Sequence, residues 1–296
     1  MPTAKDLPAD QAPCPACGGQ SRFWFDKTIE GEAFPIRSCR DCKSAFVIPR
    51  PSANRLNALY TGELTVADDA SQSCESADLG TDHTDAYQVA RHCWRLANGR
   101  EFLDVGAGNG EYSYTALKAG FRVTAIEPDA KRTRTFTRRN GFAPQNTFFD
   151  ASFASNHART YDVVLISHVL EHLPQPDTTV EHLATVLKPG GILAVCVPHF
   201  RSWMSRLLGK RDFFISPPYH LNCFTRNGLR HLVRSHALNE VHSETVTWFD
   251  DHRVRRRFGG AVVGTAAVVG LKGFFALADA WDGGNVLESY FRKQDA

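Results

Sequence analysis

The stretch Glu101-Phe-Leu-Asp-Val-Gly-Ala-Gly-Asn-Gly110 constrains this chain more than any other. An apolar run and an acid lead into three glycines at alternate positions, and helix-compatible residues follow from Glu111 to Lys118. A buried strand that ends in glycines and opens a helix lets backbone N–H groups come close to a nucleotide-like ligand. Val123-Thr-Ala-Ile126 reads as a second strand ending at Glu127, the distance at which doubly wound folds set an acid against ribose hydroxyls. The glycines run G-x-G-x-G, with Glu111 where a dinucleotide fingerprint has its third glycine. That departure argues against a pyrophosphate at the helix end and for a nucleoside that carries an amino acid.

Alternation continues along the chain. Strands are expected near 101–105, 121–126, 146–149, 161–166 and 191–197, with helices near 111–119, 130–139 and 177–187. This order implies an α/β fold with a parallel sheet covered on both faces. Tyr87, Ala90, Trp94 and Leu96 are spaced for an amphipathic helix, and Thr225 suits the cap of a helix through Leu229, Leu232 and Val233. Glu240 to Phe249 and Asn285 to Phe291 read as two last strands. With 296 residues, 43% of them hydrophobic, the chain can bury one large core plus a small appendage.

The whole set resembles a class I S-adenosylmethionine-dependent methyltransferase. Four further segments match that family in order: Phe148-Phe-Asp-Ala151, Tyr161 to His172 with its Leu-Glu-His end, Leu187-Lys-Pro-Gly-Gly191, and His220-Leu-Asn-Cys-Phe-Thr225. The last is similar to the branch acting on ubiquinone precursors, sugars and other small metabolites. The resemblance implies a Rossmann-like, seven-stranded, mostly parallel doubly wound sheet whose final strand runs antiparallel. It also implies S-adenosylmethionine as the methyl donor. Asp104, Gly106, Ala107, Gly108 and Gly110 would cradle its methionine part, and Glu127 with Pro128 would hold the ribose. Asp150 and Ala151 would approach the adenine, with Ser167 and His168 near the donor.

Two C-x-x-C pairs, Cys14 with Cys17 and Cys39 with Cys42, are separated by the 21 residues 18–38. That spacing suits one tetrahedral ion held by four thiolates, a zinc ribbon with structural Zn2+, because no position is left open for water. Short strands at 22–25, 34–37 and 45–48 fit the ribbon. A disulfide or redox reading stands beside it, although a reducing cytosol would not keep such bridges. The expected organisation is a ribbon module over 1–50, a linker, loop and lid helix over 51–100, and the donor-binding domain over 101–296.

Two insertions interrupt that domain. Residues 199–219 carry Trp203, Phe213 and Phe214 at the carboxyl edge of the sheet, and read as a wall of the acceptor pocket or as plain packing. Residues 252–284 open with Arg253, Arg255, Arg256 and Arg257, then run apolar for 14 residues, 258–271. That run is shorter than the ~20 residues a membrane-spanning helix needs. It suits a helical pair over the cleft, a dimer contact, or a peripheral membrane contact through 253–281. The start of the chain is polar and carries no cleavable apolar stretch, which sets a cytoplasmic expectation.

Methyl transfer from a sulfonium needs alignment, exclusion of water and, for many acceptors, a base. His168, His199 and His220 fall on the loop side of the sheet and are the candidate bases, with Tyr219 and Asn222 as orienters and His172 as a structural residue. The leading expectation is an enzyme acting on a small-molecule acceptor. An RNA methyltransferase gripping phosphates through the ribbon and Arg253 to Arg257 is the second reading. A net charge of +2 and few clustered bases weigh against it. A non-catalytic donor-binding or zinc-held assembly protein is the third.

Overall fold

Apolar, β-branched residues concentrate at 101–105, 161–167 and 187–198, and these segments form the centre of the sheet. The computed structural model describes residues 12–61, 84–247, 273, 279 and 281–295. Its elements in chain order are β1 (Ser21–Ile29), β2 (Glu32–Cys39), β3 (Ala45–Val47), α1 (Ala53–Tyr60), α2 (Thr84–Leu96) and β4 (Glu101–Val105). Then follow α3 (Glu111–Lys118), β5 (Arg122–Ile126), α4 (Ala130–Asn140), α5 (Ala151–Asn156), β6 (Tyr161–Ser167) and α6 (Pro176–Val186). The remainder is β7 (Leu187–Pro198), α7 (Trp203–Leu208), β8 (Asn222–Cys223), α8 (Arg226–Arg234), β9 (Leu238–Val246) and β10 (Val286–Lys293).

The main sheet has the order β5-β4-β6-β7-β10-β9. Strands β5, β4, β6 and β7 are parallel, and β10 runs antiparallel to both β7 and β9. Val163 to Ile166 are fully buried, as a strand covered on both faces must be. One face packs α5, α6 and α8, the other α2 and α3. The sheet therefore has six strands rather than the expected seven. The strand expected at 146–149 shrinks to one parallel bridge, Ile126 to Gln145. Asn146 spends its side-chain amide on the carbonyls of Glu127 and Pro128, and Asp150 already caps α5, so no ladder continues.

The second sheet, β1-β2-β3-β8, takes its last strand from far along the chain: Ala45 pairs with Cys223 and Phe46 with Asn222. Phe46 is buried in the same cluster as Leu229 and Leu232 of α8. Residues 199–219 pack toward this sheet as well. Ile215 is buried with Phe25, Phe34 and Ile36, and Lys27 Nζ reaches the carbonyls of Lys210 and Asp212. Residues 62–83 of the linker and loop, and the insertion 252–284 apart from 273, 279 and 281–284, lie outside the described residues. No helix among the described residues is long and apolar enough to cross a membrane.

Candidate functional site

The β4–α3 turn is braced from several sides. Gly106 and Ala107 both donate N–H to the carbonyl of Ile126, which joins the ends of β4 and β5. Asn140 Nδ2 donates to Gly110 O at 3.2 Å, and Arg139 Nη1 donates to Asn109 O at 3.0 Å while pairing with Glu111. Glu111, standing where a third glycine was a candidate, thus anchors α4 to the turn.

Two acids sit beneath the turn. Asp104 is buried and accepts from Ser113 Oγ at 2.6 Å; burial pushes its carboxyl up to about 7 despite that bond. Glu127 is clamped by two backbone donors, Gly108 N–H at 2.7 Å and Asp129 N–H at 2.8 Å. Burial raises its pKa, against the pull of those hydrogen bonds. Each carboxylate oxygen has two lone-pair positions, so both keep capacity for a diol. Pro128 follows directly, its carbonyl taken by Asn146.

Gly108 has left-handed backbone, and the nearest side-chain atom to an added Cβ would be Arg132 Nη1 at 3.7 Å. The cradle is open there. At Gly106 the Cβ would lie 2.5 Å from Val169 Cγ2, and at Gly110 2.1 Å from Asn140 Nδ2. These two glycines serve close packing, while Gly108 faces space. Asp150 and Ala151 lie exposed at the start of α5, where Asp150 accepts from Phe153 N–H at 2.8 Å.

At the end of β6, Ser167 Oγ is buried without a hydrogen-bond partner among the described residues. His168 follows in left-handed backbone, φ 52°, with its N–H on the carbonyl of Cys196. Such backbone in a non-glycine residue is uncommon and recurs at functional sites. Its Nδ1 lies 3.4 Å from Glu171 Oε1, and its side chain is 45% exposed.

The other histidines are more enclosed. His199 is buried with Nδ1 3.0 Å from Gly284 O, and burial lowers its pKa. His220 Nδ1 lies 2.7 Å from Phe214 O, and burial pushes its pKa down to about 4. His172 Nδ1 lies 3.0 Å from Tyr219 O, and its own carbonyl accepts from Tyr60 Oη. Asn222 is held by Arg50 Nη2 and donates to Leu173 O, so it ties the 220–223 segment to the Leu-Glu-His turn. Arg132 had no signal in the sequence, and Arg50 and Glu171 stood in segments of family likeness with no role assigned, because each acquires its neighbours only through the fold.

The four cysteines of the ribbon converge, with one sulfur from each within 4.8 Å of the others. Cys14 and Cys42 sulfurs are 3.6 Å apart and Cys17 and Cys39 sulfurs 3.5 Å, and no described cysteine is in a disulfide. Four sulfurs at ~2.3 Å from a tetrahedral ion stand about 3.8 Å apart, close to these distances. Cys42 receives the Cys14 thiol, which with Ser44 holds it down to about 5 against burial.

The family described as a methyltransferase domain matches residues 82–243, more than half of the chain. A methyltransferase of Mycobacteroides abscessus is 32% identical over 133 residues, covering 41% of this chain and 50% of that protein. A ubiquinone biosynthesis O-methyltransferase of Pectobacterium carotovorum is 30% identical over 156 residues, covering 49% of this chain and 64% of that enzyme. The chain thus spans half to under two-thirds of these relatives' length. Among solved structures, an S-adenosylmethionine-dependent methyltransferase of Archaeoglobus fulgidus superposes with a TM-score of 0.54 at 17% identity, covering 76% of this chain and all of that one. The chain belongs to the methyltransferase-domain family.

Proposed function

We propose that this enzyme methylates a small-molecule acceptor at an oxygen, with the donor seated on the β4–α3 turn. The observation that carries the donor site is the pairing of an open left-handed Gly108 with Glu127, whose two oxygens are clamped by backbone N–H groups. A fixed diol acceptor beside a glycine turn that protein side chains leave open fits a nucleoside that carries an amino acid. The donor supplies an electrophilic methyl on a sulfonium when bound. Glu127 orients its ribose, the turn from Gly106 to Gly110 receives its amino-acid part, and Asp150 with Ala151 border the adenine.

Acceptor chemistry is assigned to the end of β6. His168 is the base: it is half-exposed beside Ser167, whereas His199 and His220 are enclosed with Nδ1 on backbone carbonyls. The likeness to ubiquinone biosynthesis O-methyltransferases supports a small hydroxylated acceptor, and the near-neutral charge balance gives nucleic acid no strong field. The four cysteines fit a structural Zn2+, whose binding free energy would hold the small β1–β3 sheet together.

Saturable calorimetric binding of S-adenosylhomocysteine, followed by methyl transfer in a screen of catechols, sugars and RNA, tests the reading. Transfer to RNA alone would overturn the small-molecule assignment.

A further inference from the structure

Glu171 is 1% exposed, and neither of its carboxylate oxygens has a hydrogen bond among the described residues. A buried carboxylate without a counter-charge is costly. No Lys or Arg pairs with it among the described residues; Arg50 is committed to Leu221 O and Asn222 Oδ1, each at 2.6 Å. Around it stand three imidazoles: His168 Nδ1 at 3.4 Å, His172 Nε2 at 3.9 Å, and His220, which has a ring nitrogen within 4.8 Å of the carboxylate. Tyr60 packs edge-on to His172 and adds a neutral hydroxyl.

The three histidines are not equivalent. An imidazole nitrogen facing a carbonyl oxygen within hydrogen-bond distance must carry the proton. His172 and His220 therefore carry theirs on Nδ1; a second proton, on Nε2 of His172, would charge the ring and face the carboxylate at 3.9 Å as its counter-charge. Burial, with His172 beside it, works against that charge in His220. His168 alone has Nδ1 free of any backbone carbonyl and turned to Glu171. A lone pair aimed at a carboxylate is repelled, so Nδ1 of His168 carries the proton and Nε2 is left as the basic atom.

We propose that Glu171 is a positioning residue that fixes His168 in its Nδ1–H tautomer and stabilises the imidazolium formed during methyl transfer. The inference rests on the methyltransferase reading with His168 as base. In the step, Nε2 of His168 takes the acceptor's O–H proton while the acceptor oxygen forms its bond to the methyl carbon. The carbon–sulfur bond breaks, and its electron pair stays on sulfur. The new positive charge on His168 then lies beside the buried anion, the arrangement that lets an acid support a histidine base without taking its proton. Burial alone would raise the carboxyl of Glu171, while the Nδ1–H of His168 that faces it, and positive charge on His172 or His168, lower it.

The test needs no acceptor. The full chain, labelled with 15N-histidine and saturated with S-adenosylhomocysteine, is followed by NMR, with His168→Ala giving the assignment. The wild type is expected to show neutral His168 with Nδ1 protonated and Nε2 bare. Glu171→Gln is expected to lose that form in favour of the Nε2–H tautomer, and Glu171→Asp to restore part of it. A wild-type His168 protonated on Nε2, or a tautomer indifferent to Glu171→Gln, overturns the proposal. This holds even if the variant fails to fold, since the wild-type spectrum decides. A signal that collapses on chelation and returns with added Zn2+ also overturns it, because the carboxylate would then be holding a cation. Calorimetric binding of S-adenosylhomocysteine, measured in parallel, reports separately on the methyltransferase reading.

Discussion

Placing a methyl group on Gly108 and, separately, on Gly110 distinguishes a ligand cradle from a packing contact. Both glycines have positive φ, 55° and 85°, so alanine at either costs ~1–2 kcal/mol of backbone strain. At Gly108 the added Cβ meets nothing closer than Arg132 Nη1 at 3.7 Å, and the stability loss ends there. At Gly110 it would lie 2.1 Å from Asn140 Nδ2 and 2.7 Å from Phe136 Cδ2, adding ~1–3 kcal/mol of overpacking. Gly110→Ala should therefore lose about 2–5 kcal/mol and Gly108→Ala only about 1–2. For a domain approaching this size each kcal/mol is worth ~2–4 °C in Tm. Donor binding should fall the other way. A Cβ in the open cradle that displaces the donor by ~2 kcal/mol weakens S-adenosylhomocysteine about 30-fold in Gly108→Ala. Scanning calorimetry and isothermal titration on both variants read the two quantities. Wild-type affinity in Gly108→Ala, or equal melting losses in both, would refute the reasoning. Gly106 is a poorer probe than its sequence position implied, since its Cβ runs into Val169.

Cys14→Ser and Cys39→Ser should each lose zinc by metal analysis and loosen the β1–β3 sheet; full zinc in both would sink the four-thiolate assignment. Arg50→Ala strips the Leu221 carbonyl and the Asn222 amide oxygen of their charged donor, for a loss of ~2–4 kcal/mol by denaturant unfolding. No loss would mean that the 220–223 segment holds its place by other means. Glu288 is buried on β10, and burial pushes its carboxyl from an ordinary 4.5 up to about 8. Its neutral form is the one the fold favours. Its stability contribution is therefore fully present below about pH 4.5 and is lost as pH rises through about 8, on the order of 5 kcal/mol in all. Glu288→Gln should flatten the fall in melting temperature between about pH 5 and pH 8. An identical slope in the variant would place the titration elsewhere.

Those parts of the fold with local signals were legible in the chain. The β4–α3 turn announces itself because an apolar run, an acid and glycines must follow one another there, and the helix cap at Thr225 is a single-residue signal. The antiparallel last strand came from family likeness and is present as β10. What escaped is non-local. The pairing of β3 with the two residues of β8 spans most of the chain and carries no periodicity. The segment 146–149 contains two phenylalanines and looks like a strand, yet Phe148 is 42% exposed and hydrogen bonds on both sides are otherwise spent. Glu171 was legible only as part of the Leu-Glu-His segment, and the fold alone brings His168 and His220 around it.

The most direct test of the central claim is equilibrium dialysis of the full chain against radiolabelled S-adenosylmethionine, with Glu127→Ala alongside. Saturable binding of one equivalent by the wild type, weakened tenfold or more when the clamped carboxylate is removed, is the predicted result. Absence of binding, or equal affinity in the variant, would contradict a donor seated between Gly108 and Glu127.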